Sequence, residues 1–269
     1  MTGKNWFHAA GILWPQLVEA ASKRMTRTYG ELAPSVQTNP LSMRRALDPI
    51  QTYCIEANLP PLTSIVIGAK TGIPGNGFIG CQLDDLDTAH QLVFNYDWSQ
   101  APNPYGAFGP TDTPESLAQA LIDQPEHGDE IYAKVKVRGV AQTVFKKALM
   151  RAYGQQCAMC GLSIYQALDA AHIIPWNLAT RSQRLDPRNG LLLCTLHHRL
   201  FDCGFITVTL DGRTRYCDPE MEDGPHSLAD KNMTTKLHGK KAYLPSNPEL
   251  HPSREALEHH YQQHGWGES

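Results

Sequence analysis

Apolar residues recur at helical spacing in five stretches of the 269-residue chain, and strand-like stretches lie between them. This pattern predicts an α+β protein. The predicted helices are residues 6–23, 41–57, 114–123, 140–153 and 253–264. Runs that are rich in β-branched residues or that alternate predict strands at residues 62–69, 168–171, 205–210 and 213–217. Pro60 and Pro61 end the second helix, and the Gly- and Pro-rich residues 71–80 predict a tight turn or a wing-like loop.

A proline-rich, acidic stretch separates the two main parts of the chain. Residues 98–130 hold five prolines and six acidic residues but no Lys or Arg, which predicts a linker that contains a short helix. The length of the chain also exceeds that of one typical domain. We therefore predict an N-terminal α+β domain at residues 1–97, the linker, a second domain at residues 131–217, and a C-terminal extension with a terminal helix at residues 218–269.

The net charge of −3 taken alone argues against a polyanion partner, but the charge is unevenly distributed. Residues 131–216 hold four Asp against twelve basic residues, namely Lys134, Lys136, Arg138, Lys146, Lys147, Arg151, Arg181, Arg184, Arg188, Arg199, Arg213 and Arg215. A basic segment behind an acidic one favours a nucleic-acid partner. Charge runs also occur on solvated faces without any partner, but this basic segment coincides with the motifs described next.

Two residue pairs in this segment have the spacing of metal ligands. Cys157 and Cys160 form a Cys-x-x-Cys pair, and Cys194 and His197 repeat that spacing with a His in the last place. Thiolate and imidazole are preferred ligands of tetrahedral zinc. A single Cys-x-x-Cys is also typical of a redox motif, and ordinary buried thiols are a further alternative. Two pairs in a short window favour a closed, structural Zn²⁺ site.

Four further polar side chains suggest a second, catalytic site. His172 follows a predicted strand, and Asn189 lies in a Pro-Arg-Asn-Gly turn. His198 and Asp202 are four residues apart in a predicted helix, so both project from one face. A site for one catalytic divalent ion requires a few hard or borderline ligands, open positions and a neutral His nearby as base.

The order of these motifs resembles the HNH nuclease family, and more narrowly its restriction-endonuclease branch. The resemblance covers residues 138–208 and rests on the zinc pair, His-Ile-Ile-Pro from His172, Asn-Gly-Leu from Asn189, and Cys-x-x-His-His-Arg-Leu-Phe-Asp from Cys194. It implies a C-terminal ββα-metal module with structural zinc. It also implies that His172 is the general base and that Asn189 holds the hairpin and orients that base.

The resemblance further implies that His198 binds a catalytic Mg²⁺ or Mn²⁺, and Asp202 falls where a second helical ligand often lies. One position departs from the family pattern. Many members place Asp or His immediately before the general base, whereas this chain has Ala171. Asp169 lies on the same strand face by alternation and is a candidate substitute, but the pattern favours a metal with one protein ligand fewer.

The family default is cleavage of double-stranded DNA, and restriction or antiphage defence is the biological setting that the resemblance implies. Single-stranded DNA and RNA stay open as substrates. The candidate phosphate contacts are Lys147, Arg151, Arg181, Arg184, Arg188 and Arg199. The alternative is a catalytically inactive, zinc-stabilised DNA-binding or interaction module. Such a module needs neither His172 nor His198, whereas a nuclease needs both.

The N-terminal pattern of helices, a strand and a Gly-rich loop suggests a winged-helix-like domain. Its Tyr-Gly-Glu-Leu-Ala from Tyr29 and Pro-Gly-Asn-Gly-Phe from Pro74 are similar to the DNA-binding domain of alkylguanine-DNA alkyltransferases. The nucleophilic Pro-Cys-His of that family is absent, so no transferase chemistry follows. A structural or partner-binding domain is as compatible with the sequence as a DNA-reading one, because residues 4–97 have no basic excess.

The sequence also bears on compartment and on the C-terminal helix. No apolar run is long enough to cross a bilayer, the N-terminus lacks the apolar core of a signal peptide, and seven cysteines suggest no disulfide framework. We therefore expect a cytoplasmic protein with no membrane partner, in an oligomeric state left open, a dimer included. His259, His260 and His264 in the terminal helix favour a solvated helix over a second metal site.

Overall fold

The computed structural model describes residues 4–135, 137–223 and 226–267, so Lys136 of the basic segment lies outside the described residues. The helices are α1 (Trp6–Ser22), α2 (Tyr29–Leu32), α3 (Arg44–Glu56), α4 (Leu86–Asn95), α5 (Pro114–Asp123), α6 (Gly128–Lys134), α7 (Arg138–Ala152), α8 (Arg181–Leu185), α9 (Thr195–Asp202), α10 (Leu228–Met233) and α11 (Arg254–His264). The strands are β1 (Arg27–Thr28), β2 (Val66–Ile67), β3 (Leu168–His172), β4 (Gly190–Cys194), β5 (Ile206–Val208) and β6 (Thr214–Tyr216). This mixture confirms the α+β class, and each of the five predicted helices is present.

The chain forms two compact units within the described residues. The first comprises Met1–Thr113 with Lys134–Val137, and the second comprises Pro114–Ala133 with Arg138–Ser269. This division differs from the predicted boundaries, because the acidic stretch is not a free linker. Its first part packs into the first unit, and α5 packs against α7 in the second.

The core of the first unit forms around α1, whose interior proline has a specific compensation. Pro15 has no N–H to donate to the carbonyl oxygen of Gly11, one turn earlier. The side-chain amide of Asn103 donates to that oxygen instead, at 2.8 Å. Asn103 belongs to the proline-rich stretch, so this contact helps to hold the stretch against α1.

Buried aromatic residues explain why residues 98–113 are packed rather than extended. The ring of Trp98 meets the ring of Trp14 edge-on at 5.9 Å, and its indole N–H donates to the carbonyl of Val93 at 2.8 Å. Tyr105 is 1% exposed, and its hydroxyl donates to the carbonyl of Pro49 in α3. The loss of this aromatic surface from water outweighs the linker-like composition.

The predicted strand at residues 62–69 is largely wrong. Leu62–Ile65 forms a 3-10 helix, and only the two-residue β2 follows, paired in parallel with β1. The Gly-rich loop after it is held in place, because Gln51 contacts the backbone of Gly77 and Ile79 through both ends of its amide. The winged-helix character of this unit and its role in recognition stay predictions.

The second unit is built on a ββα arrangement. β3 and β4 pair antiparallel, with Leu168 opposite Cys194 and His172 opposite Gly190, and α9 begins directly after β4. Helix α7 crosses the hairpin at Gly190. A Cβ at that position would lie 2.6 Å from the Phe145 ring, so only glycine permits this close approach. The hydroxyl of Tyr153 donates to the Gly190 carbonyl at 3.0 Å and fixes the same contact.

The residues beyond 217 belong to the same compact unit rather than forming a separate extension. The backbone N–H of Tyr243 donates to the carbonyl of Ala158, and that of Ser253 donates to Arg188. Ser253 also caps α11, as its side chain accepts from the N–H of Ala256. Among the described residues, no helix combines the length and apolar character needed to cross a membrane.

Candidate active site and metal centre

The four predicted zinc ligands meet in one cluster. Cys157 and Cys160 lie in the tight turn after α7, Cys194 ends β4, and His197 lies in the first turn of α9. Their ligand atoms all fall within 4.8 Å of one another. The Nδ1 of His197 lies 3.1 Å from the Sγ of Cys194 and 3.6 Å from that of Cys157, and the Sγ atoms of Cys160 and Cys194 are 4.0 Å apart.

These distances and the donor set fit a tetrahedral zinc ion. Bonds of about 2.0–2.3 Å give ligand–ligand edges of roughly 3.3–3.8 Å in such a site. The Nε2–H of His197 donates to the carbonyl of Met233 at 2.9 Å, which leaves the Nδ1 lone pair directed at the thiols. Hydrogen bonds from Cys160 and Cys194 lower the pKa of the Cys157 thiol, so the cluster favours a thiolate, the form that binds metal.

His172 ends β3 in a defined tautomer. Its Nε2–H donates to the backbone carbonyl of Arg184 at 2.9 Å, and a carbonyl oxygen can only accept. The ring stacks on Phe145 with centroids 4.1 Å apart and meets Trp176 edge-on at 5.5 Å. Burial lowers the pKa of His172, so the ring is neutral near pH 7 and its Nδ1 is an acceptor.

Asn189 holds the segment that follows His172. Its carbonyl side-chain oxygen accepts from the N–H of Ile174 at 2.8 Å, and its amide donates to the carbonyl of Gln183 at 3.0 Å. Its backbone oxygen accepts from Ile173. Asn189 is 3% exposed, so each of these bonds is shielded from water. It therefore ties the residues that follow His172 to Gln183, the neighbour of Arg184, whose carbonyl accepts from the His172 ring.

His198 lies between two carboxylates. Its Nε2 lies 3.5 Å from an oxygen of Asp202, one turn later in α9, and its Nδ1 lies 4.0 Å from an oxygen of Asp169 in β3. The other oxygen of Asp169 pairs with Lys146 at 3.2 Å. Imidazole nitrogen and carboxylate oxygens are suitable ligands for a divalent ion, and all three side chains are partly exposed. Nε2 of His198 and Asp202 therefore form a donor pair of the kind that suits Mg²⁺ or Mn²⁺, whereas Asp169 lies at the other ring nitrogen and would not share that ion.

A solvent-facing groove of about 410 Å³ joins these side chains. It lies within the second unit, and its walls come from β3, α7, α9 and α11. Its polar lining includes Arg138, Gln142, His172, His198, Asp202, His260, Gln263 and His264. The ring of His172 and the His198–Asp202 pair therefore line the same groove.

A comparison with protein-family models decides the family of this part of the chain. Residues 157–209 match a model described as HNH endonuclease. This segment is an HNH endonuclease domain. It contains the four-residue metal cluster as well as His172, Asn189, His198 and Asp202.

Two other comparisons add little to this assignment. A search of curated proteins finds no match. Among solved structures, the chain is similar to a modification-dependent TagI restriction endonuclease, with 21% sequence identity and a TM-score of 0.29. That similarity covers 44% of this chain and 36% of the other.

The six predicted phosphate contacts of the HNH domain and its flanks divide into three groups. Lys147 pairs with Glu115 at 2.7 Å, and Arg151 donates to the backbone of Glu115 and to Gln119. Both side chains therefore hold α5 against α7. Arg188 forms two-pronged hydrogen bonds with Asp186, and Arg184 donates to Trp176 and Tyr132. Arg181 and Arg199 are exposed.

Sequence reasoning missed several residues that line the groove. Arg138 counted only as part of the basic segment, yet its guanidinium lies over Trp176 at 5.5 Å and reaches the groove. The terminal helix is not a solvated one, because its His260 is 2% exposed. The buried positions Ala256, Leu257 and His260 share the spacing of one helix face, and this signal was available in the sequence.

Proposed function

We propose that the HNH domain is a metal-dependent DNA endonuclease in which His172 is the general base. The observation that carries this proposal is the environment of His172. Its Nε2–H is committed to Arg184, its pKa is lowered by burial, and its ring lines the same groove as His198 and Asp202. A neutral imidazole with a free acceptor nitrogen is the group that removes a proton from an attacking water.

The proposed mechanism assigns a role to each side chain. Nδ1 of His172 takes a proton from water as its oxygen bonds to phosphorus, and the bond from phosphorus to the leaving oxygen breaks. His198 and Asp202 would hold the divalent ion, and the Asp169 carboxylate lies at the other nitrogen of the His198 ring. When bound there, Mg²⁺ or Mn²⁺ would neutralise charge on the phosphate and the leaving oxygen. Asn189 fixes the loop that positions His172.

The zinc cluster has a different role in this proposal. Cys157, Cys160, Cys194 and His197 cross-link the turn after α7 to the junction of β4 and α9. That junction begins the helix that carries His198, so bound Zn²⁺ would position the helix without taking part in chemistry. Binding energy at such a site contributes directly to folding.

Double-stranded DNA is the proposed substrate, contacted through Arg138, which lines the groove, and through Arg181 and Arg199. These three side chains are exposed, whereas those of Lys147 and Arg151 are engaged with α5. Restriction or antiphage defence is the proposed setting, and it rests on the resemblance of the motif order alone. The sharpest alternative is an inactive zinc-stabilised binding module, in which His172 and His198 have no catalytic task.

Incubation of the purified protein with supercoiled plasmid tests the proposal. Methylated and unmethylated plasmid are each incubated with Mg²⁺, Mn²⁺ or EDTA, using wild type and His172→Ala. Wild type should nick or linearise plasmid with a divalent ion only, and His172→Ala should not. Binding to plasmid with no cleavage under any metal would favour the inactive module. Cleavage of one plasmid alone would show dependence on base modification.

A further inference from the structure

Two histidines of α11 line the groove but differ in how their ring nitrogens are used. His260 has both engaged, because its Nε2–H donates to the carbonyl of Phe201 and its Nδ1 accepts from the hydroxyl of Thr207, each at 3.1 Å. Its ring also stacks on Phe201 at 3.9 Å. His264 lies one turn later on the same face, and among the described residues neither of its ring nitrogens makes a hydrogen bond.

The turn after α9 leaves room for the His264 ring at the groove. Gly204, two residues after the end of α9, has a φ of +73°, and a Cβ there would lie 2.5 Å from the Nδ1 of His264. Only glycine allows this close approach and this backbone conformation together. The His264 ring therefore lies beside the end of the helix that carries His198 and Asp202. The ring of the anchored His260 packs against the His264 ring, with the two centroids 4.5 Å apart.

From this contrast we propose that His264 is a substrate-contacting residue that donates a hydrogen bond to a backbone phosphate oxygen in the groove. The inference rests on the proposed nuclease function and adds a residue from outside the matched family segment, residues 157–209. An imidazole always carries at least one N–H donor, and a phosphate offers only acceptors. His260 anchors α11, and His264 presents the free donor.

A matched pair of substitutions tests the role of the donor. His264→Gln keeps an N–H donor, His264→Leu removes it at similar size, and Gln262→Ala changes an exposed residue of the same helix that does not line the groove. In single-turnover cleavage of a short duplex at subsaturating enzyme, where loss of a substrate contact lowers the rate, His264→Leu should be slower by roughly 10–100-fold, the loss expected for a hydrogen bond to a charged group. His264→Gln should recover part of the rate, and Gln262→Ala should match wild type.

Equal cleavage rates of the His264→Leu and His264→Gln variants would overturn the inference. Leu and Gln variants that both cleave like wild type would show that His264 does not contact substrate. Leu and Gln variants that are equally slow would show a structural role. Thermal unfolding of all three variants controls for folding.

A second measurement separates this inference from the nuclease proposal. The imidazole resonances of His264 are followed by NMR while the same duplex is added to the zinc-loaded protein with no Mg²⁺ or Mn²⁺ present, so that the proposed cleavage cannot proceed. They should shift in wild type, and no shift would overturn the inference. A shift in a protein that never cleaves DNA would reject the nuclease proposal while keeping His264 as a phosphate contact. Normal cleavage with no shift would reject the inference alone.

Discussion

Nε2 of His172 lies 2.9 Å from the backbone carbonyl oxygen of Arg184, and this contact determines the tautomer of the ring. The proton must sit on Nε2, so Nδ1 is left as an acceptor. Burial lowers the pKa of the ring and keeps that acceptor unprotonated. Because the backbone supplies the carbonyl, substitution of the Arg184 side chain leaves the tautomer unchanged.

We predict that His172→Ala abolishes most cleavage while zinc content and DNA affinity stay close to wild type. A general base contributes roughly 10²–10⁴-fold to rate and little to ground-state binding. Because the pKa of His172 is lowered, the wild-type rate should stay constant as pH falls and decline only below the ordinary His value of about 6.5. A plasmid-nicking time course across pH measures both effects. Circular dichroism controls for folding, and a folded variant with the wild-type rate would reject the assignment.

The proposed metal ligands should respond differently from the base. His198→Ala and Asp202→Ala should both lose cleavage through weaker ion affinity, so excess Mn²⁺ should partly restore it, whereas it should not restore His172→Ala. Asp169→Asn should have an intermediate effect, since its carboxylate lies 4.0 Å from His198 and is shared with Lys146. The rate is measured for each variant over a series of Mn²⁺ concentrations. Equal rescue of the His172 and His198 variants would contradict this division of roles.

The sequence predicted the site better than it predicted the surroundings of the site. Cys157, Cys160, Cys194 and His197 were recognisable because metal ligands have fixed spacing, and the structure brings all four together. The contacts of Lys147 and Arg151 with α5 were not recognisable. Those pairs join residues more than thirty positions apart, and neither periodicity nor composition reports such a contact.

The acidic stretch shows the same limit. Proline and acid content predicted a linker, but Trp98, Tyr105 and Phe108 are each buried in the first unit. Composition weighs every residue equally, whereas each of these three aromatic side chains buries a large apolar area, which favours packing. The role of His260 was missed for a related reason. A histidine in a charged helix resembles a solvated one unless the partners of its ring nitrogens are known.

Cys157→Ser should release the metal and destabilise the second unit, because the binding energy of a structural zinc ion is part of the folding free energy. Metal analysis of the purified variant should give less zinc than wild type, and thermal unfolding should occur at lower temperature. Cys217→Ser is the matched control, since that thiol is free, exposed and outside the cluster. A wild-type protein that is fully folded without metal would show that the cluster is not a structural zinc site.

The exposed Arg181 and Arg199 should matter more for DNA affinity than Lys147, which is paired with Glu115. Arg199→Ala and Arg181→Ala should each weaken binding on all sequences and reduce the slope of log K against log salt by about 0.9. Lys147→Ala should leave that slope unchanged and cost about 0.2–1 kcal/mol of stability, because its partner is Glu115 on the surface. Fluorescence anisotropy over a salt series measures the slopes. A slope change for Lys147→Ala equal to that for Arg199→Ala would contradict the prediction.

His260 should make the stability of the second unit dependent on pH. Burial lowers its pKa to about 4, and both ring nitrogens are satisfied in the neutral form. Because the pKa is lower in the folded state than in the unfolded state, the neutral ring contributes its full stabilisation of the folded protein above the unfolded pKa. This contribution is lost as pH falls from about 6.5, the unfolded value, to about 4, the folded one. At roughly 1.4 kcal/mol per pKa unit, the loss is about 3 kcal/mol.

The comparison that isolates this contribution is wild type against His260→Leu, with the free energy of unfolding measured by denaturant titration between pH 8 and pH 4. The variant should be less stable at pH 8, since it removes the hydrogen bond to the Phe201 carbonyl and leaves the buried hydroxyl of Thr207 without its His260 partner. The difference in unfolding free energy between the two proteins should shrink as pH falls. Only wild type has an imidazole at position 260, which is neutral when folded and takes up a proton when the protein unfolds at low pH. Other titrating groups, His172 and His197 included, are common to both proteins and cancel in the difference. A difference that stays constant across this range would show that His260 does not titrate on unfolding.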